Sequence, residues 1–235
     1  MDTPRATAEQ IAKLGTLSTC EISDALLKLG HATGGYVPDL ERFSGEGGET
    51  VVGEAFTVEM VDSSDTNAPK LNAHFIDLAT SGSVVFISSP PHIKSASLGG
   101  LLATSLHHKG IKGVMIAGRC RDLAELKALG LPIFARGHST LGQSPFTRPS
   151  RVQIPLSIAP ISPPSTSRDL AFPPTEVHPF DIVVADLDGV VVVRPDVVDR
   201  VIELAEKGRE VDENCRKDLE EGKGVKETFK KHRGK

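Results

Sequence analysis

The chain has 235 residues, of which 39% are hydrophobic and 25% charged, and its formal net charge is −4 at pH 7. These proportions are typical of a globular protein with one domain, or one domain and an arm, and they argue against a generally basic nucleic-acid-binding surface. No apolar run approaches the roughly 18 residues that a membrane span requires.

Targeting and cysteine usage indicate the compartment. The N-terminus, MDTPRATAEQ, lacks the basic and apolar regions of a secretion signal. The three cysteines, Cys20, Cys120 and Cys215, lie far apart, form no metal-type pair and are too few for a disulfide framework. We therefore expect a reduced, cytoplasmic protein with neither a nucleic acid nor a membrane as partner.

The first third of the chain predicts two helices and a strand. One helix is expected over Ala8–Leu14, and a second follows the capping pair Ser18-Thr19 and ends at Gly30. Residues 31–50 contain five glycines and one proline, which indicates a loop. Loose alternation with β-branched residues over Val51–Val61 predicts a strand.

Short apolar strands and amphipathic helices alternate in the middle of the chain. This order with short links predicts right-handed βαβ crossovers and a parallel sheet. The segments are a strand over Ser83–Ser88, a helix over Leu101–His108, a strand over Gly113–Ala117, a turn over Gly118–Asp122 leading to a helix that ends at Gly130, and a strand over Leu131–Ala135.

The last part of the chain is heterogeneous. Nine of the 16 prolines lie within residues 141–180, which predicts a long irregular, exposed excursion. Asp188-Gly189 lies between two β-branched runs of the segment Asp181–Val193 and predicts a hairpin. A helix is expected from Pro195 onward. We assign 1–203 to an α/β domain and 204–235 to a charged helical tail, whose last 14 residues contain six Lys or Arg and one acidic residue.

Two consecutive strand-to-helix junctions are candidate ligand sites, because ligands gather at the carboxyl ends of parallel strands. At the first, Gly99-Gly100 lets a ligand approach the backbone, and the N–H groups of Leu101, Leu102 and Ala103 are expected to point outward from the helix start. Such a terminus accepts a carboxylate or phosphate. A tight turn with a flexible glycine pair is the competing interpretation.

The second junction, Gly118–Asp122, brings Arg119, Arg121 and Asp122 to one strand end. Arginine holds carboxylates in a bidentate manner, and aspartate is an oxygen ligand suited to Mg²⁺ or Mn²⁺. Asp122 can equally cap the helix that follows, because Glu125 occupies the position of a capping-box partner. Spacing alone leaves ligand and cap open, and both roles are compatible through different carboxylate oxygens.

Four segments in order resemble the RraA-like family, which includes the bacterial regulator of ribonuclease activity and the 4-hydroxy-4-methyl-2-oxoglutarate aldolases. The longest runs from Gly99 to Gly137 (GGLLATSLHHKGIKGVMIAGRCRDLAELKALGLPIFARG). The others are STCEISDAL near the start, GEAFTVE at 53–59 and DIVVADLDGVVVVRP at 181–195. The ending, 211–233, looks like the tail of fungal members. Only the proline-rich excursion lies outside the resemblance.

The resemblance implies an α/β fold of the swivelling β/β/α type with a helical C-terminal arm, assembled as a homotrimer or a dimer of trimers. It implies a lyase dependent on Mg²⁺ or Mn²⁺ that cleaves 4-hydroxy-2-oxo acids to pyruvate or decarboxylates oxaloacetate through a metal-stabilised enolate. The implied site residues are Arg121 for the 2-oxo acid, Asp122 for the metal, Gly99, Gly100, Leu101 and Leu102 for the substrate carboxylate, and Asp212 or Glu213 from a neighbouring subunit.

One position departs from the aldolases, which have an aspartate where this chain has Gly100. That aspartate is thought to orient the water that serves in proton transfer, so its absence bears on aldol cleavage more than on decarboxylation. Two further readings therefore stay open beside the lyase: a non-catalytic binding or regulatory protein of the same fold, and a specialised enzyme that uses the same site on a larger substrate.

Overall fold

A computed structural model describes residues 5–45, 47–161 and 172–234. The helices are α1 Ala8–Leu14, α2 Thr19–Lys28, α3 Phe75–Leu78, α4 Gly100–His108, α5 Leu123–Leu129, α6 Val198–Glu220 and α7 Val225–Arg233. The strands are β1 Glu41–Ser44, β2 Val51–Asp62, β3 Val84–Ser88, β4 Ala96–Leu98, β5 Gly113–Cys120, β6 Ile133–His138, β7 Thr147–Val152, β8 Leu156–Ile158, β9 Thr175–Val177, β10 Ile182–Ala185 and β11 Val190–Val193.

The main sheet has a parallel centre and antiparallel flanks. Its strand order is β1-β6-β5-β3-β2-β10-β11, with β4 added to β5 and β7 to β2. Strands β2, β3, β5 and β6 run parallel, as the alternation of strands and helices predicts. The hairpin predicted at Asp188-Gly189 is confirmed, since β10 and β11 pair antiparallel. This is the mixed α/β architecture implied by the resemblance.

Helices cover the sheet in two groups. Ala103 and Leu106 of α4 and Leu126 of α5 pack on the parallel strands. Leu14, Ile22 and Leu26 of α1 and α2 pack with α6 against β10 and β11. Both N-terminal helices begin with capping boxes, around Thr7 and Ser18, which explains why short periodic segments form helices there.

Strand β5 extends further than predicted. The sequence predicts a turn over Gly118–Asp122, whereas β5 continues to Cys120. The reason is tertiary: Arg119 and Cys120 pair with β4 on one side and with Gly137 and His138 of β6 on the other. The change of direction is therefore confined to Arg121 and Asp122, which places these two side chains at the edge of the sheet.

The prediction that 141–180 is irregular is wrong for much of the segment. β7 pairs with β2, and β8 pairs with β9 in a small separate sheet. Pro149 lies in β7 opposite Met60, beside a register shift between Glu59 and Met60. A proline is tolerated there because β7 pairs only with β2 in the described sheet and the ladder is interrupted locally. Residues 162–171 lie outside the described part.

The C-terminal arm is helical, as expected. α6 begins before the assigned boundary at 204 and packs on α2, while α7 folds back on α6. Much of the basic end is paired: Lys223, Lys231 and His232 contact Asp218, and Arg233 contacts Asp212. Within the described residues, no helix is long and apolar enough to cross a membrane.

Candidate functional site

The two predicted junctions meet in space, at the N-terminus of α4. Asp122 Oδ2 accepts a hydrogen bond from the Gly100 amide at 2.9 Å. The backbone also joins the junctions, because the Arg121 amide donates to the Leu98 carbonyl at 3.0 Å. Pairing of β4 with β5 therefore positions the Arg121-Asp122 turn over the start of α4.

Asp122 caps a helix, but not the one predicted. Its side chain makes no capping bond to α5, although its backbone carbonyl accepts the first α5 hydrogen bond, from Leu126. The capping box with Glu125, which the spacing left open beside a ligand role, is therefore not formed. The backbone of Asp122 has φ 63° and ψ 44°, a left-handed conformation that turns its carboxylate away from α5 and toward α4. Only Oδ2 takes part in the hydrogen bond to Gly100, which leaves Oδ1 available as a ligand.

The absence of a side chain at Gly99 makes this arrangement sterically feasible. A Cβ atom placed on Gly99 would lie 2.5 Å from Asp122 Oδ2 and 3.0 Å from Arg121 Nε. The Gly99 backbone is extended, with φ −136°, so the constraint is one of space rather than conformation. The space that was predicted to let a ligand approach the glycine pair is partly occupied, at Gly99, by the side chains of Arg121 and Asp122.

Arg121 remains free to bind a ligand. Within the described residues, its one polar side-chain contact is a long ion pair, 3.5 Å from Nε to Asp122 Oδ2. The guanidinium lies beside Gly142, where a Cβ would be 2.9 Å from Nη1. By contrast, Arg119 donates to the His138 carbonyl at 2.8 Å and has a structural role. Of the two guanidiniums predicted at this junction, Arg121 is therefore the candidate for binding a carboxylate.

Two amides at the start of α4 have no acceptor among the described residues, those of Leu101 and Leu102. The expectation that Ala103 also presents a free N–H is wrong, because this group donates to the Gly99 carbonyl at 3.0 Å. The Gly100 amide is likewise used by Asp122. The terminus thus offers two free donors together with the positive end of the helix dipole.

Sequence reasoning missed the position of Glu125. A Cβ placed on Gly100 would overlap Glu125 Oε2 and would lie 2.9 Å from Glu125 Cδ. The Glu125 side chain therefore lies flat against Gly100 and occupies the space of an absent side chain. The sequence does contain a glycine at the start of one helix, Gly100, and a glutamate in the next helix, Glu125. Their spacing gives no indication that they are in contact.

Cys120 lies between the two arginines but does not belong to the reactive surface. Its thiol is fully buried, and burial raises its pKa to about 11. It contacts the Gly137 carbonyl at a sulfur–oxygen distance of 3.7 Å. A thiolate is the reactive form of cysteine, so this residue serves packing rather than nucleophilic chemistry.

Asp212 and Glu213 lie on α6, which packs on α1, α2 and α7. Asp212 pairs with Arg233 at 2.6 Å, and Glu213 lies 3.9 Å from Arg216. Asp212 and Arg233 also line a groove of about 660 Å³ between α2 and the C-terminal helices. Neither Arg121 nor Asp122 lines this groove, so it is separate from the start of α4.

Comparison with known proteins assigns the family. A family model described as RraA-like, Aldolase/RraA, matches residues 19–192. The chain belongs to the RraA-like family. A curated relative from Halalkalibacterium halodurans, named "Putative 4-hydroxy-4-methyl-2-oxoglutarate aldolase", is 29% identical over 209 residues, which cover 89% of this chain and 88% of that protein. The recognition made from the four motifs is thereby confirmed.

Solved structures agree on the RraA-like fold. An uncharacterized protein from Pseudomonas syringae superposes with a TM-score of 0.77 at 25% identity, covering 97% of this chain and 99% of that one. RraAS2 of Streptomyces coelicolor, described as an unusual member of the RNase ES inhibitor RraA protein family, gives 0.74 at 22% identity, with 92% and 99% covered. At that identity, the second likeness concerns the fold alone.

Proposed function

We propose that this RraA-like protein is a divalent-metal-dependent carbon–carbon lyase for 2-oxo acids, which cleaves 4-hydroxy-2-oxo acids or decarboxylates oxaloacetate. The observation that carries the proposal is the convergence of Arg121, Asp122 and two free amides on one helix start. A 2-oxo acid presents a carboxylate and an adjacent carbonyl oxygen, which match a guanidinium, helix amides and a Lewis acid. The aldolase name of the Halalkalibacterium relative supports the same reaction class.

The residues present fit Mg²⁺ or Mn²⁺. Gly99 leaves room for the Asp122 carboxylate, which engages one oxygen with Gly100 and keeps the other free. Magnesium typically retains several waters and binds proteins through one or two carboxylates, so a single aspartate with waters is a suitable donor set. When bound, the cation would supply Lewis acidity at the 2-oxo group and favour the enolate of pyruvate.

The chain's own groups orient the substrate. Arg121 would hold the substrate carboxylate through its free Nη atoms, assisted by the amides of Leu101 and Leu102. All three belong to segments fixed by the β4–β5 pairing, so the donors are in place before the substrate arrives. Such preorganisation stabilises charge as it develops in the transition state, without reorganisation of the protein.

The assembly belongs to the proposal too. Leu101 is 86% exposed beside the site, and in the assembly that we propose a neighbouring subunit would cover it. We propose a homotrimer or a dimer of trimers, in which Asp212 or Glu213 of a neighbouring subunit approaches Arg121 and Asp122. Light scattering coupled to gel filtration would measure the oligomeric state.

The test is CO₂ release from oxaloacetate with Mg²⁺, with EDTA, and with two variants of Asp122. Asp122→Asn keeps an acceptor for the Gly100 amide and tolerates the left-handed backbone, but it loses the charge that binds the metal. Asp122→Ala loses both. We expect each variant to lower the metal-dependent rate at least about a hundredfold, since the metal contributes several kcal/mol of transition-state stabilisation.

Stability separates the two roles of Asp122. Removing the cap in Asp122→Ala should cost about 1 kcal/mol of unfolding free energy, whereas Asp122→Asn should cost much less. Glu203→Gln on the exposed face of α6 is the matched neutralisation control. A folded protein without metal-dependent turnover on any 2-oxo acid would reject the lyase and favour a non-catalytic binding protein of this fold.

A further inference from the structure

Glu125 is a carboxylate that the site as described so far does not use. It projects from the first turn of α5, and its Oε2 atom lies where a side chain on Gly100 would begin. Gly100 is the same residue whose amide binds Asp122. Two carboxylates from one turn of α5 thus contact a single residue at the start of α4.

The contact between Glu125 and Gly100 is not explained by a structural bond. Within the described residues, Glu125 takes part in no hydrogen bond and no ion pair, and it does not cap its own helix. Glu125 is exposed in the first turn of α5, and it differs from other exposed, unpaired acidic side chains, such as Glu203, by its contact with Gly100. The Glu125 carboxylate is unpaired and lies at the same helix start as Asp122, the proposed metal ligand, and two free amides. It is therefore available for proton transfer.

We propose that Glu125 is the proton-transfer residue of the 2-oxo acid site, acting directly or through one water; this inference rests on the proposed function. In cleavage of a 4-hydroxy-2-oxo acid, the Glu125 carboxylate takes the C4 hydroxyl proton. The C4 carbonyl then forms, the C3–C4 bond breaks, and its electron pair becomes the C2–C3 double bond of the enolate. Glu125 returns the proton to C3, which gives pyruvate, so the residue ends in its starting state.

The residue at position 100 explains why a glutamate can serve there. Any side chain on Gly100 would displace the Glu125 carboxylate, so the position of this carboxylate depends on the glycine. On this account, Glu125 supplies the carboxylate for proton transfer although position 100 itself is a glycine.

Proton transfer can be measured apart from carbon–carbon cleavage. Exchange of the pyruvate methyl protons in D₂O with Mg²⁺, followed by proton NMR, uses the same C3 transfer and breaks no carbon–carbon bond. We expect Glu125→Gln to slow this exchange about a hundredfold, within the usual contribution of general acid–base catalysis. Glu125→Asp should recover part of the rate, and Glu203→Gln should leave it unchanged.

Two further readouts separate proton transfer from metal binding. Oxaloacetate decarboxylation has no proton to remove before the bond breaks, so Glu125→Gln should retain CO₂ release within about threefold. Binding of Mn²⁺, measured by water proton relaxation, should be unchanged in the same variant. A loss of Mn²⁺ binding would overturn the assignment, because Glu125 would then be a metal ligand.

Gly100→Ala tests the geometry without changing the carboxylate. The atoms that the new Cβ would meet belong to the flexible Glu125 side chain, so the fold should accept it. We expect exchange to fall as in Glu125→Gln, and the double variant to be within about twofold of either single variant, since both remove one interaction. If the losses of the two single variants add fully in the double variant, Gly100 and Glu125 do not act through one interaction.

The outcomes also distinguish this inference from the proposed function. If the wild-type protein decarboxylates oxaloacetate and exchanges pyruvate protons, and Glu125→Gln exchanges at the wild-type rate, the role of Glu125 is overturned. The proposed lyase function would then be retained. Wild-type protein that binds Mn²⁺ but neither decarboxylates nor exchanges would overturn both.

Discussion

Two helix starts in this protein receive an aspartate from a distant segment, and they differ in how completely the groups are used. At α2, Asp186 of the β10–β11 turn accepts from the Thr19 amide at 2.8 Å and from the Thr19 hydroxyl at 2.7 Å. At α4, Asp122 accepts from the Gly100 amide alone.

The aspartate at the α2 start is fully engaged. Both oxygens of Asp186 are occupied, since Oδ1 also accepts from the Asp188 amide at 2.9 Å. Ser18 and Glu21 form a reciprocal capping box, and Arg209 pairs with Glu21 and holds its pKa below the ordinary value. Every polar group named here has a partner within the chain, which is what a structural junction requires.

The α4 start leaves groups open. One oxygen of Asp122, the Nη atoms of Arg121, the amides of Leu101 and Leu102, and the Glu125 carboxylate lack hydrogen-bond partners among the described residues. Glycines stand where α2 has its capping serine and threonine. The comparison teaches that an aspartate on a helix start is not informative by itself; the unsatisfied groups around it indicate a ligand.

Among the changes that test this comparison, the largest effect is expected from closing the space at Gly99. Gly99→Ala would place a Cβ against Asp122 Oδ2 and Arg121 Nε, so metal-dependent decarboxylation should fall about tenfold or more. The extended backbone accepts alanine, so the loss of unfolding free energy should not exceed the roughly 1 kcal/mol expected for losing the Asp122 cap. Gly47→Ala, where a Cβ meets nothing within 4 Å, is the matched control. Full activity in Gly99→Ala would show that the position of the pair is not critical.

A smaller effect, on stability instead of activity, is expected at the start of α2. Asp186→Ala removes the acceptor for two amides and a hydroxyl, which should lower the free energy of unfolding by about 1–2 kcal/mol. Turnover per folded molecule should stay within about twofold of wild type. Chemical denaturation and the decarboxylation assay measure the two quantities, and a selective loss of turnover would remove the distinction between the two helix starts.

The smallest effect concerns the arm. Hydrogen bonds from Lys223, Lys231 and His232 hold the pKa of Asp218 well below its ordinary value of 3.8. A carboxyl with a lowered folded-state pKa stabilises fully above its unfolded value, and this contribution is lost as the pH falls through 3.8 and below. The protection factor of the α7 amides, which is the intrinsic exchange rate at each pH divided by the observed rate, should therefore fall below about pH 4, while the α4 site is little affected.

Asp218→Asn provides the control for that prediction. It should lower the α7 protection factors already at pH 7 and reduce their further response to acid. Protection factors in wild type that do not change with pH would indicate that apolar packing alone holds α7 on α6.

Local patterns sufficed for the elements whose signals lie within a few residues. The capping pair Ser18-Thr19 defined the start of α2, and Asp188-Gly189 defined the β10–β11 hairpin. The parallel order of β3, β5 and β6 followed from their alternation with helices. Strands β7, β8 and β9 were missed because prolines weigh against strands unless an edge position and a bulge, both tertiary features, accommodate them.

The two junctions of the candidate site could be predicted from the sequence, but the contacts between them could not. Arg121 and Asp122 stand out by type and position, and the α4 start stands out by its glycines. The bond between Asp122 and Gly100 spans 22 residues, and the left-handed backbone of Asp122 that permits it carries no sequence signal of its own. For the same reason, the position of Glu125 on Gly100 required coordinates.

We propose above that the start of α4 binds the metal and a 2-oxo acid together. Oxalate, a stable mimic of the pyruvate enolate, tests it without turnover by calorimetric titration with and without Mg²⁺. We expect binding to wild type and to Asp186→Asn only when Mg²⁺ is present, and no detectable binding to Asp122→Asn. Equal binding of oxalate to wild type and to folded Asp122→Asn would contradict the claim.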